Sequence, residues 1–233
     1  MIVYGRHPVR EALRGRRPVQ QVWATPNAAR EVWLSGAVGV LAATGDEIAE
    51  RCGSDGHQGM CAEVGPYPYA DAGALLRVPD AFLVALDEVT DPQNLGAVCR
   101  TAEVAGATGV VIPQRRSAEV TPAVCKASAG AVEHLAVARV RNLADFLAEA
   151  KGAGAWTYGA AAAARTPYRE PDYRGPVVLV LGAEGRGLRP RVASMCDDLV
   201  RLPVRGRLDS LNVSAAAAVL LYEILQQRLD TGS

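Results

Sequence analysis

The chain has 233 residues, of which 49% are hydrophobic and 5% aromatic, enough apolar content for one large or two small packed domains. Its 25 basic and 25 acidic side chains cancel, which argues against a strongly basic protein that binds nucleic acid without specificity. No apolar stretch has the length of a membrane span, and residues 1–6 lack the pattern of a signal peptide. We therefore expect a cytoplasmic protein.

The N-terminal part of the chain, residues 1–68, is predicted to form a small α/β domain. Helix and strand patterns alternate until the proline-rich string at 65–69, where proline disfavours continuation of either element. We place a linker at 69–80. In chain order the predicted elements are helix 8–13, strand 19–24, helix 26–34, strand 38–42, helix 46–52 and strand 60–64.

Residues 81–233 are predicted to form a second α/β domain. Strand and helix patterns alternate along it, which is typical of a mostly parallel sheet covered by helices. The alanine-rich patch at 160–164 is predicted to be a loop. The predicted strands are 82–86, 109–112, 135–140, 155–159, 177–181 and 199–202, and the predicted helices are 95–105, 121–130, 142–151, 188–196 and 212–229.

Three strings in this second domain share one layout: an apolar strand, a polar loop containing glycine, and a helix. Residues 86–102 read LDEVTDPQNLGAVCRTA, residues 180–188 read VLGAEGRGL, and residues 201–214 read RLPVRGRLDSLNVS. In open α/β sheets, ligands bind beyond the carboxyl ends of the strands. We therefore expect the three loops to converge on one site.

The third string leads into a long predicted helix, because residues 215–229 are apolar, rich in helix formers and free of Gly and Pro. Ser210 and Asn212 precede this helix, and both are residue types that cap helix N-termini. The unpaired backbone N–H groups of such an end suit a ligand with polar or anionic groups. Capping explains both residues, and ligand binding is compatible with it.

The first string carries a candidate functional arginine. Arg100 lies off the apolar stripe of helix 95–105, one turn beyond Gly96. Glycine inside a helix costs about 1 kcal/mol relative to alanine, so it marks close packing or space for a ligand. Gly96 either leaves room for a nucleic-acid backbone beside Arg100, or it packs beneath an ordinary surface arginine.

The five cysteines are odd in number and show no CxxC spacing, which disfavours a zinc site or a disulfide framework. Cys99 and Cys125 lie on predicted helices and are interpreted as small apolar core residues.

Arginines cluster although the net charge is zero. Singly they are ordinary surface residues, but as clusters beside the predicted ligand loops they favour a track for nucleic-acid phosphates. The clustered residues are Arg6, Arg10, Arg14, Arg16, Arg17, Arg115, Arg116, Arg186, Arg189, Arg191, Arg201, Arg205 and Arg207.

The three strings, in this order, resemble the three signature motifs of the SPOUT methyltransferases, in the TrmH (SpoU) branch. Segments 116–118, 126–131 and 140–143 resemble intermotif segments of the RlmB type, and segments 5–13 and 57–59 match its substrate domain. The match covers nearly the whole chain. Enzymes of that type methylate the 2′-oxygen of a guanosine in 23S ribosomal RNA.

The resemblance implies a fold and a set of partners. It implies an α/β protein whose SPOUT domain, at 81–233, has a mostly parallel sheet and a trefoil knot. A small L30e-like α/β RNA-binding domain would occupy 1–68, joined through the linker at 69–80. An RNA substrate and a homodimer are implied, with S-adenosylmethionine as methyl donor and no metal. Main-chain groups of Gly182, Leu202 and Leu211 would hold the donor.

The resemblance also implies catalytic residues, with Arg100 as the main one. Because arginine stays protonated in proteins, we expect Arg100 to grip a phosphate and stabilise the developing alkoxide. Glu184 would orient Arg100 or a ribose hydroxyl; structurally, it would instead pair with Arg186 or Arg189. The remaining implied catalytic residues are Asn94, Ser210 and Asn212.

Several alternatives remain open. A tRNA ribose methyltransferase, or a resistance methyltransferase acting on an adenosine of ribosomal RNA, would belong to the same branch. A non-enzymatic RNA-binding module is the third alternative, although intact motif residues argue against it. His7 and His57 are expected to touch RNA, and His134 is interpreted as structural. Residues 182–187 resemble a dinucleotide loop only superficially.

Overall fold

The computed structural model describes residues 1–36 and 39–230. The N-terminal residues form a four-stranded sheet in which the second and third strands along the chain pair in parallel and the other pairings are antiparallel. Its strands are β1 (Ile2–Tyr4), β2 (Val19–Ala24), β3 (Val40–Ala42) and β4 (Met60–Val64), in the order β1-β4-β2-β3, and its helices are α1 (Arg6–Arg14) and α2 (Gly45–Cys52).

Two predictions for this region need correction. The predicted helix 26–34 is two single 3-10 turns, Ala28–Arg30 and Val32–Leu34, separated by Glu31 in an extended conformation. The side chain of Trp33 donates to Glu31 Oε2 at 3.0 Å. Valine and tryptophan are weaker helix formers than alanine or leucine, so local propensity does not overcome this break. The sequence patterns also missed β1, which is only three residues long, and residue 38 of the predicted strand 38–42 lies outside the described residues.

The predicted linker 69–80 contains a short helix, α3 (Ala72–Leu76), that was not predicted. Asp71 caps it by accepting from the backbone N–H of Ala74 at 2.6 Å. Ala70 forms an isolated parallel bridge with Ala138. The segment therefore packs against the second sheet.

The second sheet has seven strands, all paired in parallel, and confirms the predicted mostly parallel sheet. Its order is β7-β6-β5-β10-β8-β11-β9. The strands are β5 (Phe82–Asp87), β6 (Gly109–Pro113), β7 (Ala136–Val140), β8 (Trp156–Ala160), β9 (Thr166–Pro167), β10 (Val177–Gly182) and β11 (Asp198–Arg201). The helices are α4 (Pro92–Val104), α5 (Pro122–Ala127), α6 (Leu143–Gly152), α7 (Pro190–Met195) and α8 (Val213–Leu229).

The central strands of this sheet place two of the motif loops side by side. All six residues of β5 are buried, as expected for a parallel strand covered on both faces. Strand β10 pairs with β5 in a register that sets Gly182 opposite Asp87. The loops that follow β5 and β10 therefore leave the sheet at the same edge, as the motif layout predicted.

A buried ion pair joins the region of the N-terminal sheet to the region of the seven-stranded sheet. Arg17 Nε donates to Glu133 Oε2 at 2.9 Å, and a second Arg17 nitrogen contacts Glu133 Oε1. Both side chains are only 1% exposed. Burial disfavours the charge of Arg17, but the bonds to Glu133 outweigh it and raise the pKa of the guanidinium. Arg17 is therefore not part of a phosphate track, which corrects that expectation.

His134 lies at the same junction, where its Nε2 is 2.9 Å from Glu11 Oε2. This contact supports the structural interpretation of His134. Across residues 1–36 and 39–230, no helix combines the length and apolarity needed to cross a membrane.

Candidate functional site

A cavity of about 480 Å³ lies beyond the carboxyl ends of β8, β10 and β11. Its volume falls within the range of about 300–1,000 Å³ typical of small-molecule sites. All three positions predicted to hold a ligand through their main chain, Gly182, Leu202 and Leu211, line it. The other lining residues are 160–163, Leu181, 183–188, Ala193, Val200, Val204, Asp209, Ser210, Val213 and Ala216.

Gly182 is required by the loop that follows it. A Cβ at this position would lie 2.1 Å from the carbonyl carbon of Gly187, a separation that real atoms do not allow. The loop closes on itself because Gly187, with a φ of 65°, donates its N–H to Ala183 O at 2.8 Å. The close approach expected at Gly182 is thus made by the protein's own backbone, which shapes the cavity wall.

Leu202 and Leu211 differ in environment. Leu202 packs partly buried against the main apolar cluster, so its packing and cavity-lining roles coexist. Leu211 is 49% exposed, which rules out core packing as the explanation for this residue.

An ion pair between a buried carboxylate and a partly exposed arginine, which the sequence patterns missed, fixes the second motif loop. Asp87, at the end of β5, is fully buried, and its carboxylate accepts from the backbone N–H of Arg189 at 2.8 Å and from its guanidinium at 2.7 Å. The bond to Asp87 raises the pKa of Arg189. Arg189 also pairs with Glu88 at 3.4 Å. The signal that could have revealed this pair is an acidic residue ending an otherwise apolar strand.

Three predicted catalytic residues meet through one amide group. Asn212 Nδ2 donates to Asn94 Oδ1 at 3.0 Å and lies 3.2 Å from Glu184 Oε2. Its Oδ1 accepts from the backbone N–H of Ser214 at 2.9 Å, which confirms Asn212 as the cap of α8. The three motif loops are therefore joined by hydrogen bonds, although they lie far apart in sequence. Glu184 accepts a hydrogen bond from the Asn212 amide. The alternative expectation was that Glu184 would pair with an arginine such as Arg189, but Arg189 pairs with Asp87 instead.

Arg100 and Ser210 stand apart from this network. Arg100 is exposed on α4, off its buried face, and no hydrogen bond or ion pair joins its guanidinium to another described residue. Its guanidinium is therefore free to meet a ligand from solution. Ser210 donates to Asp209 Oδ1 at 3.1 Å and does not cap α8, which corrects the capping expectation for this residue.

Gly96 is a packing residue. It is buried, and a Cβ added to it would lie 2.4 Å from Ala127 Cβ and 2.9 Å from the backbone nitrogen of Ser128. The space beside Gly96 is thus filled by α5, and the expectation that an RNA backbone occupies it is wrong.

The alanine loop at 160–163 is a further part of the site that the sequence patterns missed. It follows β8 at the same edge of the sheet as the other loops, so its position after a strand was the available signal.

Cys99 and Cys125 are fully buried, and burial raises their pKa to about 12 and about 11, which fits packing rather than reactivity. Among residues 1–36 and 39–230, no group of three or more His, Cys, Asp or Glu side chains is placed to hold a metal ion.

Two family models match the chain. Residues 2–70 match the model for RNA 2′-O ribose methyltransferase substrate binding, and residues 81–222 match the SpoU rRNA methylase family.

Similar proteins extend the match across both regions. A tRNA/rRNA methyltransferase of Synechocystis is 40% identical over 97% of this chain, which spans only 62% of that relative's length. The TrmH family tRNA/rRNA methyltransferase YacO of Bacillus subtilis is 38% identical, covering 99% of this chain and 97% of the relative.

Solved structures show the same fold. The SpoU methyltransferase AviRb of Streptomyces viridochromogenes, in complex with AdoMet, has a TM-score of 0.83 at 26% identity, covering 98% of this chain and 90% of that one. An AdoMet-bound rRNA methyltransferase of Sinorhizobium meliloti has a TM-score of 0.81 at 28% identity, covering 97% and 86%. The predicted fold class and the predicted enzyme class are both confirmed: this chain belongs to the SpoU family of RNA methyltransferases, in the TrmH branch of the SPOUT enzymes.

Proposed function

We propose that this chain transfers a methyl group from S-adenosylmethionine to the ribose 2′-oxygen of a guanosine in 23S ribosomal RNA. The observation that carries the proposal is the cavity at the sheet edge, which is lined by Glu184. Asn212 donates hydrogen bonds to both Glu184 and Asn94, so these two residues are held together beside the cavity. The family descriptions of an rRNA methylase domain and of a 2′-O ribose methyltransferase substrate domain support the RNA and the atom methylated.

S-adenosylmethionine is the methyl donor, and two similar structures hold this molecule, which they name AdoMet. The cavity suits it, because apolar walls at 160–163 and main-chain groups at Gly182, Leu202 and Leu211 can receive an adenine ring and a polar methionine end. The donor supplies an electrophilic methyl group carried on a sulfonium. The protein has to bind it, shield it and orient the acceptor.

The acceptor hydroxyl must lose its proton as the new carbon–oxygen bond forms. Glu184 lines the cavity, where Asn212 donates to one of its carboxylate oxygens and the other is assigned to orient the ribose hydroxyl. As the ribose oxygen bonds to the methyl carbon, the sulfur–methyl bond of the donor breaks, S-adenosylhomocysteine leaves, and the hydroxyl proton passes to water. Arg100 is assigned to the adjacent phosphate and to the developing negative charge, since a guanidinium cannot act as a base near neutral pH. Asn94 and Ser210 are assigned to positioning the ribose.

Two other RNA substrates belong to the same proposal. The relatives are named as tRNA/rRNA methyltransferases, which keeps a tRNA ribose as the second candidate. An adenosine of ribosomal RNA is the third candidate, because resistance methyltransferases with that substrate belong to the same branch.

A homodimer is proposed for the working enzyme. Helix α8 leaves Val219 and Tyr222 at 42% and 51% exposed, and α4, which packs against α8, leaves Val104 at 60%. A second copy covering these apolar side chains would gain the free energy of their burial.

The division into domains at 1–68 and 81–233 and a cytoplasmic location are also proposed. The free thiols of all five cysteines fit a reducing compartment.

The test uses the full chain, labelled S-adenosylmethionine, and unmodified transcripts of 23S ribosomal RNA, 16S ribosomal RNA and tRNA. A methylated 2′-oxygen blocks alkaline cleavage of the next phosphodiester, so the product should yield a labelled alkali-resistant dinucleotide. We expect that dinucleotide from 23S RNA, with guanosine at its 5′ position. Label in tRNA alone would transfer the assignment to the second candidate, and label released entirely as mononucleotides would exclude ribose methylation.

A further inference from the structure

The N-terminal domain contacts α5 through a cluster of hydrogen bonds around the side chain of Gln58. Lys126 Nζ donates to Gly56 O at 2.8 Å and to Gln58 Oε1 at 3.2 Å. The same Gln58 oxygen accepts from the backbone N–H of Arg6 at 3.0 Å. The side chain of Gln58 is thus oriented by two separate donors.

This orientation leaves the other half of the Gln58 amide free. Both neighbours are donors, so the carbonyl oxygen must face them and the NH₂ group must point away. Gln58 is exposed, and its Nε2 makes no hydrogen bond to any other described residue. Lys126 uses two of its three ammonium N–H groups in the contacts above, and its ammonium also lies 5.7 Å from the centroid of the Tyr4 ring. The NH₂ group of Gln58 therefore remains available as a donor beside a positively charged ammonium.

The backbone around this contact is strained and crowded. Gln58 has φ 54° and ψ 29°, a left-handed conformation that is costly for any residue with a Cβ. Such strain persists only where the surrounding structure enforces it, and it concentrates at functional positions. Gly5 makes room for the contact, because a Cβ there would lie 2.5 Å from Lys126 Nζ and 3.0 Å from Gln58 Oε1.

The contact lies one helix away from the predicted catalytic residues. Lys126 is followed by Ala127 and Ser128, which pack directly against Gly96 in the first turns of α4. Asn94 precedes Gly96 by two residues on that helix. Loop 55–59 of the N-terminal domain thus contacts Lys126 of α5, the helix whose C-terminal end packs against α4 at Gly96.

We propose that the free amide of Gln58, together with the ammonium of Lys126, binds a phosphodiester of the substrate RNA next to the nucleotide that is methylated. The proposal rests on the proposed RNA methyl transfer and adds the contact that sets the register of the strand. An ammonium supplies charge and an amide supplies a directed donor, which is the combination that fixes a phosphate oxygen in place.

The competing explanation is that Gln58 only joins the two domains. Two substitutions separate these roles. In Gln58→Glu, a carboxylate oxygen still accepts from Arg6 N and Lys126 Nζ, but the outward donor is lost and a negative charge takes its place. In Gln58→Ala, both the domain contact and the donor are lost. Gln20→Glu is the matched control, because it makes the same chemical change at an exposed position of the same domain.

The experiment measures equilibrium binding and single-turnover methylation of the 23S transcript by the full chain, with melting temperatures of each variant. We expect Gln58→Glu to melt like the wild type and to bind the transcript at least about 10-fold more weakly, with Gln20→Glu within about twofold of wild type. The proposal is wrong if Gln58→Ala binds and methylates the transcript more weakly than the wild type while Gln58→Glu has the same RNA affinity and methylation rate as Gln20→Glu. In that case Gln58 only holds the two domains together. A wild-type chain that methylates no RNA would instead overturn the proposed function.

Discussion

At the residue scale, Asn212 performs two tasks with different atoms of one side chain. Its oxygen caps α8 through Ser214 N, and its nitrogen joins Asn94 and Glu184. Asparagine is one of the few residue types that can do both, because it carries an acceptor and a donor on one short planar group.

The two tasks can be separated by substitution. Asn212→Asp retains the capping oxygen, since aspartate caps as well as asparagine, but it removes the donor and sets a second carboxylate beside Glu184. We expect near wild-type thermal stability and a loss of methyl transfer of at least about 10-fold. Asn212→Ala should in addition lose about 1 kcal/mol of unfolding free energy. Full activity in Asn212→Asp would show that only capping matters.

Arg100 permits a clean test because it makes no contact that the fold depends on. We expect Arg100→Ala to retain stability and donor affinity while its single-turnover rate falls by about 10²–10³. Arg100→Lys should recover little, since an ammonium lacks the planar two-pronged grip on a phosphate. Calorimetric titration with S-adenosylmethionine and transfer to the RNA transcript measure the two effects. Arg77→Ala, at another exposed arginine, is the control, and normal turnover by Arg100→Ala would refute the catalytic assignment.

At the element scale, the position of α4, which carries the proposed catalytic residues Asn94 and Arg100, depends on its fit against α5. The two helices approach closely because Gly96 presents no side chain toward Ala127 and Ser128. The buried face of α4 also carries Leu95, Val98 and Cys99. Arg100 is exposed because it lies outside the set of α4 residues that this packing buries.

Gly96→Ala should therefore destabilise the protein although alanine is the better helix former. Helix propensity favours the change by about 1 kcal/mol, but overlap with Ala127 Cβ and the Ser128 backbone forces the helices apart at a cost of about 1–3 kcal/mol. Denaturant unfolding measures the balance. Gly152→Ala, where open space surrounds the last residue of α6, should be neutral or stabilising. A stabilised Gly96→Ala protein would contradict the packing role.

At the scale of the whole molecule, Arg17 and Glu133 join the N-terminal region to the region of the seven-stranded sheet. The pair is almost fully buried, and Arg17 also donates to Gly65 O at 3.2 Å. The main apolar cluster runs through the same junction and includes Val9 and Val132. The two regions therefore share a core rather than meeting at a solvated surface.

Breaking this pair from one side should be more costly than removing it altogether. We expect Arg17→Met and Glu133→Leu each to lower the unfolding free energy by about 3–5 kcal/mol, because each leaves a buried charge without a partner. The double variant should lose much less than the sum of the two. A double-mutant cycle measured by urea unfolding provides the comparison, and additive losses would mean that the two charges are not coupled.

Much of the architecture and part of the site followed from the sequence. Strand and helix periodicity located β5, β10 and α8, since long apolar runs fix an element whatever packs against it. The motif spacing predicted a shared site, and the choice of Asn94, Glu184 and Asn212 is supported by their contacts. The predictions of the sheet and of its shared edge held because they depend on local composition and on the fixed geometry of parallel strands, whereas the catalytic roles of these three residues stay predictions.

The tertiary structure decided what each polar or small residue does. Arg17 is a buried partner rather than a phosphate ligand, Gly96 packs against a helix rather than against RNA, and Asp87 holds Arg189 across the sheet edge. In each case the partner lies about 30 to over 100 residues away, so no local pattern contains it. Residue type and spacing limit what a side chain can do, but long-range packing determines which neighbour it meets and therefore which role it has.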